Sequence, residues 1–191
     1  HVCIRGGMVG TRRVTSRASA FDVMPGMAMD PRTGFDVNME QDRVQARAII
    51  EEEKPWLIVG YPMCAAFNPL MALNPKTDKV KQAMVQGVQH LFFVCEIYKT
   101  QISQGRFFLH EHPKAATSWC LWLVKKVLDM EGVVTVDCDQ CAFGLWCTDC
   151  LGEALVKKPT RWMPNAKEIA ARLDRKCVSE KKEANLGIAT S

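Results

Sequence analysis

Two residues stand where α/β proteins commonly do chemistry. Cys64 follows the apolar run Trp56-Leu57-Ile58-Val59, in a loop introduced by Pro62. A thiolate there acts as a nucleophile if its pKa is lowered; otherwise such a cysteine is a small packing residue. Glu111, within His110-Glu111-His112-Pro113, follows a second run, Arg106-Phe107-Phe108-Leu109. A carboxyl group beside a nucleophilic cysteine can donate a proton to a bound base. His110 and His112 alternate along an extended segment, so their imidazoles point the same way, but two ligands alone do not complete a metal site. A third group is Cys138-x-x-Cys141-x5-Cys147-x-x-Cys150. Paired C-x-x-C turns aim thiolates at one tetrahedral ion, zinc before iron–sulfur, although this spacer is shorter than that of zinc ribbons. Trp119, Trp122, Trp146 and Trp162 offer faces on which bases stack. Trp119 and Trp122 lie three apart on an expected helix, which makes at least one of them a packing residue.

Positioning these groups requires a regular scaffold, and the pattern supplies one. Short strands are expected at His1–Ile4 and Met27–Asp30, separated by Gly6, Gly7, Gly10 and a helix over Arg13–Ala20, with a turn at Pro31–Gly34. Helix formers run from Asp42 to Glu53, and Pro55 ends them. Trp56–Val59 reads as a strand buried on both faces. Asp78 to Gln104 is the clearest helix, with Val80, Met84, Val88, Leu91, Phe92, Cys95 and Ile102 at three- and four-residue spacing and Gly105 as its cap. A strand at Arg106–His110, a helix over Ala115–Met130 stopped by Gly132, and a strand at Val133–Val136 follow. Alternating helix and strand predict a three-layer α/β/α domain with a mostly parallel sheet and right-handed crossovers. The carboxyl ends of its strands then share one edge, which brings Cys64 and Glu111 together. The domain is expected to occupy residues 1–175, with 176–191 a polar, disordered tail.

In this order and spacing, the motifs resemble the catalytic core of the DNA cytosine-5 methyltransferases, of class I methyltransferase, Rossmann-like fold. Gly60-Tyr61-Pro62-Met63-Cys64 looks like the family's Pro-Cys nucleophile loop, with Met63 between the two. Glu111-His112-Pro113 stands where the family has Glu-Asn-Val. Asp139-Gln140-Cys141-Ala142-Phe143-Gly144, then Lys157-Lys158-Pro159-Thr160-Arg161 and Asn165, are similar to divergent phage and retroelement members. On this reading Cys141 belongs to the Gln-Cys segment and the other clustered cysteines are incidental. The resemblance covers residues 14–177. It implies that Cys64 attacks carbon 6 of a flipped-out cytosine, that Glu111 protonates the ring nitrogen, and that carbon 5 takes a methyl group from S-adenosylmethionine. It further implies cofactor contacts from Gly6, Gly7, Gly10, Pro62 and Asp30, with Asp22 and Asp36 as competitors of Asp30. Gln140, Lys158 and Arg161 become candidate DNA contacts. The family's Phe-x-Gly-x-Gly turn is reduced here to a few glycines, and the chain has no room for a target-recognition domain. A partner region of a parent polyprotein, or an inactive nucleic-acid-binding module, is therefore also expected.

Composition narrows the field further. The 191 residues are 48% hydrophobic and 24% charged, which suits one ordinary globular domain. The formal charge of +4 is compatible with a polyanionic partner and too small to demonstrate one. No apolar run reaches the roughly 18–20 residues that span a bilayer. Nine cysteines, an odd and scattered set, do not require a disulfide framework in a chain with this much apolar content, so a reducing compartment is expected. With DNA as the partner, that compartment is nuclear or cytoplasmic. The chain begins with His1, not Met, and reads as a fragment or processed piece.

Overall fold

The computed structural model describes residues 2–4, 24, 26–29, 31–73, 77–149 and 152–177. Its centre is a four-stranded mixed sheet. β3 (Leu57–Gly60) and β4 (Phe107–Pro113) are parallel neighbours, with Gly60 opposite His110. β8 (Pro159–Pro164) runs antiparallel to β4, and β5 (Val136–Asp139) runs antiparallel to β8 on its other side. The order is β3-β4-β8-β5. Two short pairs lie outside it: β1 (Val2–Ile4) with β2 (Met27–Met29), and β6 (Trp146–Asp149) with β7 (Gly152–Leu155), both antiparallel.

The expectation of a mostly parallel sheet is corrected: of the three pairings in the central sheet, only β3–β4 is parallel. The cause is β8, a strand missed because Pro159 and Pro164 flank a mixed stretch without alternation. It inserts between β4 and β5 and reverses the pairing. Yet β8 opposes both neighbours, so β3, β4 and β5 still point the same way and still share a carboxyl edge. Outside the central sheet, the short β1–β2 pair is also antiparallel.

Among the described residues four α-helices accompany the sheet: α1 (Glu40–Glu53), α2 (Asp78–Ser103), α3 (Trp122–Leu128) and α4 (Lys167–Leu173). α1 ends in a left-handed Lys54 whose N–H returns to the Ile50 carbonyl, just before Pro55. α2 starts at Thr77, whose hydroxyl accepts from the Val80 N–H. The expected helix over 115–130 is instead a 3-10 turn at Thr117–Cys120 followed by α3, because Leu121 between them is extended. The strand expected at Val133–Val136 is displaced to Val136–Asp139.

The two faces of the sheet differ. Ile58, Phe108 and Met163 point into the main core, packed by Ala46 and Ile50 of α1, by Leu91, Val94 and Tyr98 of α2 and by Leu123, Val124 and Val127 of α3. Leu57, Val59 and Leu109 point the other way, covered by Tyr61, Trp162 and by Ile169 and Leu173 of α4. The buried stripe of α2 runs through Gly87, His90, Leu91, Val94, Tyr98 and Gln101, while Phe92 and Met84 are exposed. Polar ends tie the sheet down at its other edge. Gln101 donates to the carbonyls of Pro55 and Phe107, and Asn165 bridges the Phe108 N–H and the Arg106 carbonyl.

Candidate functional site

The Cys64 loop leaves β3 at Gly60 with no room for a side chain. A Cβ on Gly60 would lie 1.8 Å from the Tyr98 hydroxyl. That hydroxyl is buried and bonded to His110 Nδ1 at 3.0 Å, and the Tyr98 ring stacks on Phe108. The next peptide groups are held from two sides. The Pro62 carbonyl accepts from His112 Nε2 at 3.2 Å, and the Met63 N–H donates to His90 Nδ1 at 3.3 Å. Because Nε2 of His112 is the donor, its Nδ1 accepts from the Ser118 hydroxyl at 2.5 Å. Burial holds His112 down at about 4 and His90 at about 3, so both are neutral at ordinary pH and can play these roles. Cys64 itself is exposed, and its carbonyl starts the 3-10 turn at Ala65–Phe67.

Glu111 lies on the opposite face of β4 from its two neighbouring histidines, as strand alternation requires. His110 and His112 pack against Trp119 in the main core, whereas Glu111 sits opposite Trp162 in register. The Glu111 side chain is buried, and its Oε1 has no hydrogen-bond partner. The nearest cation is Lys158, whose Nζ is 3.6 Å from that oxygen, an ion-pair distance longer than a hydrogen bond. Burial pushes the carboxyl above its ordinary range, and Lys158 offsets this in part. Tyr61, just past β3, packs edge-on against Trp162.

Next to Glu111 on this face a cleft of about 370 Å³ opens, lined by Tyr61, Cys138, Gln140, Phe143, Leu145 and Trp162 among others. Its polar groups are fixed: Gln140 Nε2 donates to Thr160 Oγ1 at 3.0 Å, and the Trp162 indole N–H donates to Cys138 Sγ at 3.1 Å. A larger apolar groove of about 430 Å³ lies elsewhere, between Asn68–Met71 and the first turns of α2. Neither Cys64 nor Glu111 lines the groove or the cleft; of the two, the cleft has Trp162, the partner of Glu111 in register, in its wall.

Several expected site residues lie toward one sheet edge and several do not. Cys64 and Pro62 follow β3, Glu111 lies on β4, Gln140 follows β5 and Lys158 precedes β8, and of these Lys158 reaches Glu111. Arg161 does not join Glu111. It points to the main-core face, where its guanidinium grips Asp137 at 2.7 and 3.1 Å and lies over Trp119. With Lys114 also 3.1 Å away, Asp137 is held down at about 2, so this is an ion-pair cluster. Asn165 braces the amino end of β4, the opposite edge from Glu111. Gly6, Gly7, Gly10, Asp22 and Asp30 lie outside the described residues, as does Cys150. Asp36 accepts from both nitrogens of Asn38, its own backbone N–H donating to Asp42.

Cys138, Cys141 and Cys147, the clustered cysteines among the described residues, do not assemble. Among the described residues no three His, Cys, Asp or Glu side chains form a metal-sized group. Cys138 faces Trp162, Cys141 is buried in a 3-10 turn (Gln140–Phe143), and Cys147 is exposed on β6. Trp119 is buried and bonded to the Pro113 carbonyl, while Trp122 is exposed, which fits the expectation that one of the two packs. His90 and Tyr98 were missed by sequence reasoning. The available signal was their place in one helical stripe with Gly87, Leu91 and Val94.

The fold defines the class only as an α/β protein, with a four-stranded mixed sheet and four helices among the described residues. Comparison of the chain with protein-family models, curated proteins and solved structures finds no match.

Proposed function

We propose that this domain carries a cysteine-nucleophile, glutamic-acid site that adds covalently to a cytosine ring in DNA, the activating half of cytosine-5 methylation. The observation that carries it is the exposed thiol of Cys64, on a loop clamped by His90 and His112, at the same sheet edge as a buried Glu111 with raised proton affinity. In this reading the Cys64 thiolate forms a bond to carbon 6. The carbon 5–carbon 6 π pair moves onto carbon 5 while Glu111 hydrogen-bonds or protonates the ring nitrogen. Lys158 and the Tyr61–Trp162 corner line the approach, a polar group and aromatic faces of the kind that hold an extruded base.

The methyl donor of this chemistry is S-adenosylmethionine. Of the residues expected to hold it, Gly6, Gly7, Gly10 and Asp30 lie outside the described residues, and no step is derived through it. The β1–β2 pair is antiparallel, unlike the parallel crossover on which such a cofactor loop is built. That same observation favours a second reading, a nucleic-acid-binding module of a larger polyprotein that has lost the methyl-transfer half.

The test separates the two. DNA carrying tritium at cytosine carbon 5 is incubated with the protein without cofactor, because covalent addition alone labilises that hydrogen. Tritium release by the native chain, lost in Cys64→Ala, is the expected result. DNA binding without any release sinks the covalent reading and leaves the binding module. Calorimetry with S-adenosylmethionine then decides whether the chain completes the reaction by itself.

A further inference from the structure

A pair of thiols outside the proposed site is placed to form a reversible cross-link. The segment following α4 turns back along β5. The Asp139 N–H donates to the Arg175 carbonyl at 3.0 Å, the Lys176 ammonium donates to the Asp137 carbonyl, and the Cys177 N–H donates to Asp139 Oδ2 at 3.1 Å. Cys177 is thereby anchored to Asp139, two residues before Cys141. The Arg175 guanidinium lies over the Phe143 ring at 5.3 Å, which seats the same strap against the turn containing Cys141. The Cys177 thiol is among the groups that raise the proton affinity of Cys141, as expected of neighbouring sulfurs. Cys138, although nearer in sequence to Cys141, is engaged by the Trp162 indole instead.

We propose that Cys141 and Cys177 are a redox modification site, closing to a disulfide with a low-molecular-weight disulfide such as oxidised glutathione. Cys177 is the more exposed of the two and meets the reagent first; Cys141 is buried. The Cys177 thiolate attacks one sulfur of the reagent, forming a mixed disulfide and releasing one thiolate. Cys141 then attacks the Cys177 sulfur and releases the second. Two electrons pass to the reagent, which leaves as two thiols with the two protons. Burial and the neighbouring Cys177 push Cys141 up to about 11, so the second step accelerates with rising pH. The cross-link encloses residues 142–176, hence the β6–β7 hairpin, β8 and α4, and ties the strap to the turn that lines the cleft with Gln140 and Phe143. The site does not depend on the methyltransferase reading.

The native chain, oxidised with glutathione disulfide and digested without reduction, is expected to yield a peptide joining Cys141 to Cys177. Exposed Cys64 and Cys120 are expected to carry glutathione adducts only. The melting temperature should rise on oxidation by on the order of 10 °C, from the restricted unfolded chain, and return on reduction. Cys177→Ser and Cys141→Ser, compared each with its own reduced form, should show no such rise. If either variant fails to fold, the peptide map and the reversible shift of the native chain decide alone. A glutathione adduct that persists on Cys177, a bond from Cys177 to Cys138 or Cys147, or a cross-link without a change in melting temperature overturns the proposal.

Discussion

The two faces of the central sheet are made by alternate residues of the same strands, yet they are built differently. On one face Ile58, Phe108 and Met163 are sealed by three helices, and even the polar residues there, Tyr98, His110 and His112, are almost wholly buried. On the other face Leu57, Val59 and Leu109 have, among the described residues, α4 and a few rings over them, and a cleft opens beside them. The thick face supplies stability and holds the Cys64 loop from beneath. The thin face leaves room for a ligand beside Glu111. A one-residue slip in β4 would exchange these roles, placing a carboxylate in the core and two imidazoles in the cleft.

Truncations on adjacent residues of β4 measure the contrast most directly. Phe108→Ala removes a ring with no exposure that stacks on Tyr98, and is expected to destabilise by about 3–5 kcal/mol. Leu109→Ala, on the thin face, is expected to lose about 2 kcal/mol because α4 and the cleft wall can settle inward. Chemical denaturation of both variants checks this. Equal losses would mean that the second face is as closely packed as the first, and the cleft would lose its significance.

A smaller effect comes from the residue that joins the faces. His112→Ala leaves the Pro62 carbonyl and the Ser118 hydroxyl without their partner, at a cost of about 2 kcal/mol. The sharper readout is the Cys64 loop, which should become a faster target for thiol reagents while Cys120 keeps its native rate. Unchanged Cys64 reactivity would show that His112 supports the core and not the loop.

How much of this was legible depends on what each residue touches. Cys64 and Glu111 drew attention because each follows a continuous apolar run, and the parallel β3 and β4 send both runs toward one sheet edge, although β4 itself continues through Glu111 to Pro113. The three co-directional strands were legible for the same reason, apart from the shift of β5. β8 was not, since Pro-Thr-Arg-Trp-Met-Pro has neither alternation nor a continuous apolar run, and its pairing is long-range. Arg161 was misplaced as a consequence: without β8 there was no means of seeing that Asp137 stands across from it. The cysteine spacing suggested a metal because sequence distance is counted along the chain, whereas Cys141 meets Cys177 through the strap that returns along β5.

The smallest change in stability is expected at Glu111, the residue proposed as the acid, and it has the opposite sign. The Glu111 carboxyl is buried with an unbonded oxygen, and its folded pKa lies above the ordinary 4.5. The folded state therefore holds a proton that the unfolded state has already released. As pH rises from about 4.5 toward the folded value, the unfolded chain binds fewer protons than the folded one, and stability falls. Above the folded value the loss is complete and constant. Glu111→Gln keeps the shape, removes the titration and should be more stable than the native chain at neutral pH by up to about 1 kcal/mol, since Lys158 offsets part of the burial penalty. Below pH 4 the two should be equally stable. Urea midpoints across this range give the comparison, and tritium release measured on the same samples should be abolished by the substitution. If Glu111→Gln is instead less stable at neutral pH, the Lys158 contact outweighs burial. Glu111 is then an ion-pair residue like Asp137, and the acid role assigned to it fails.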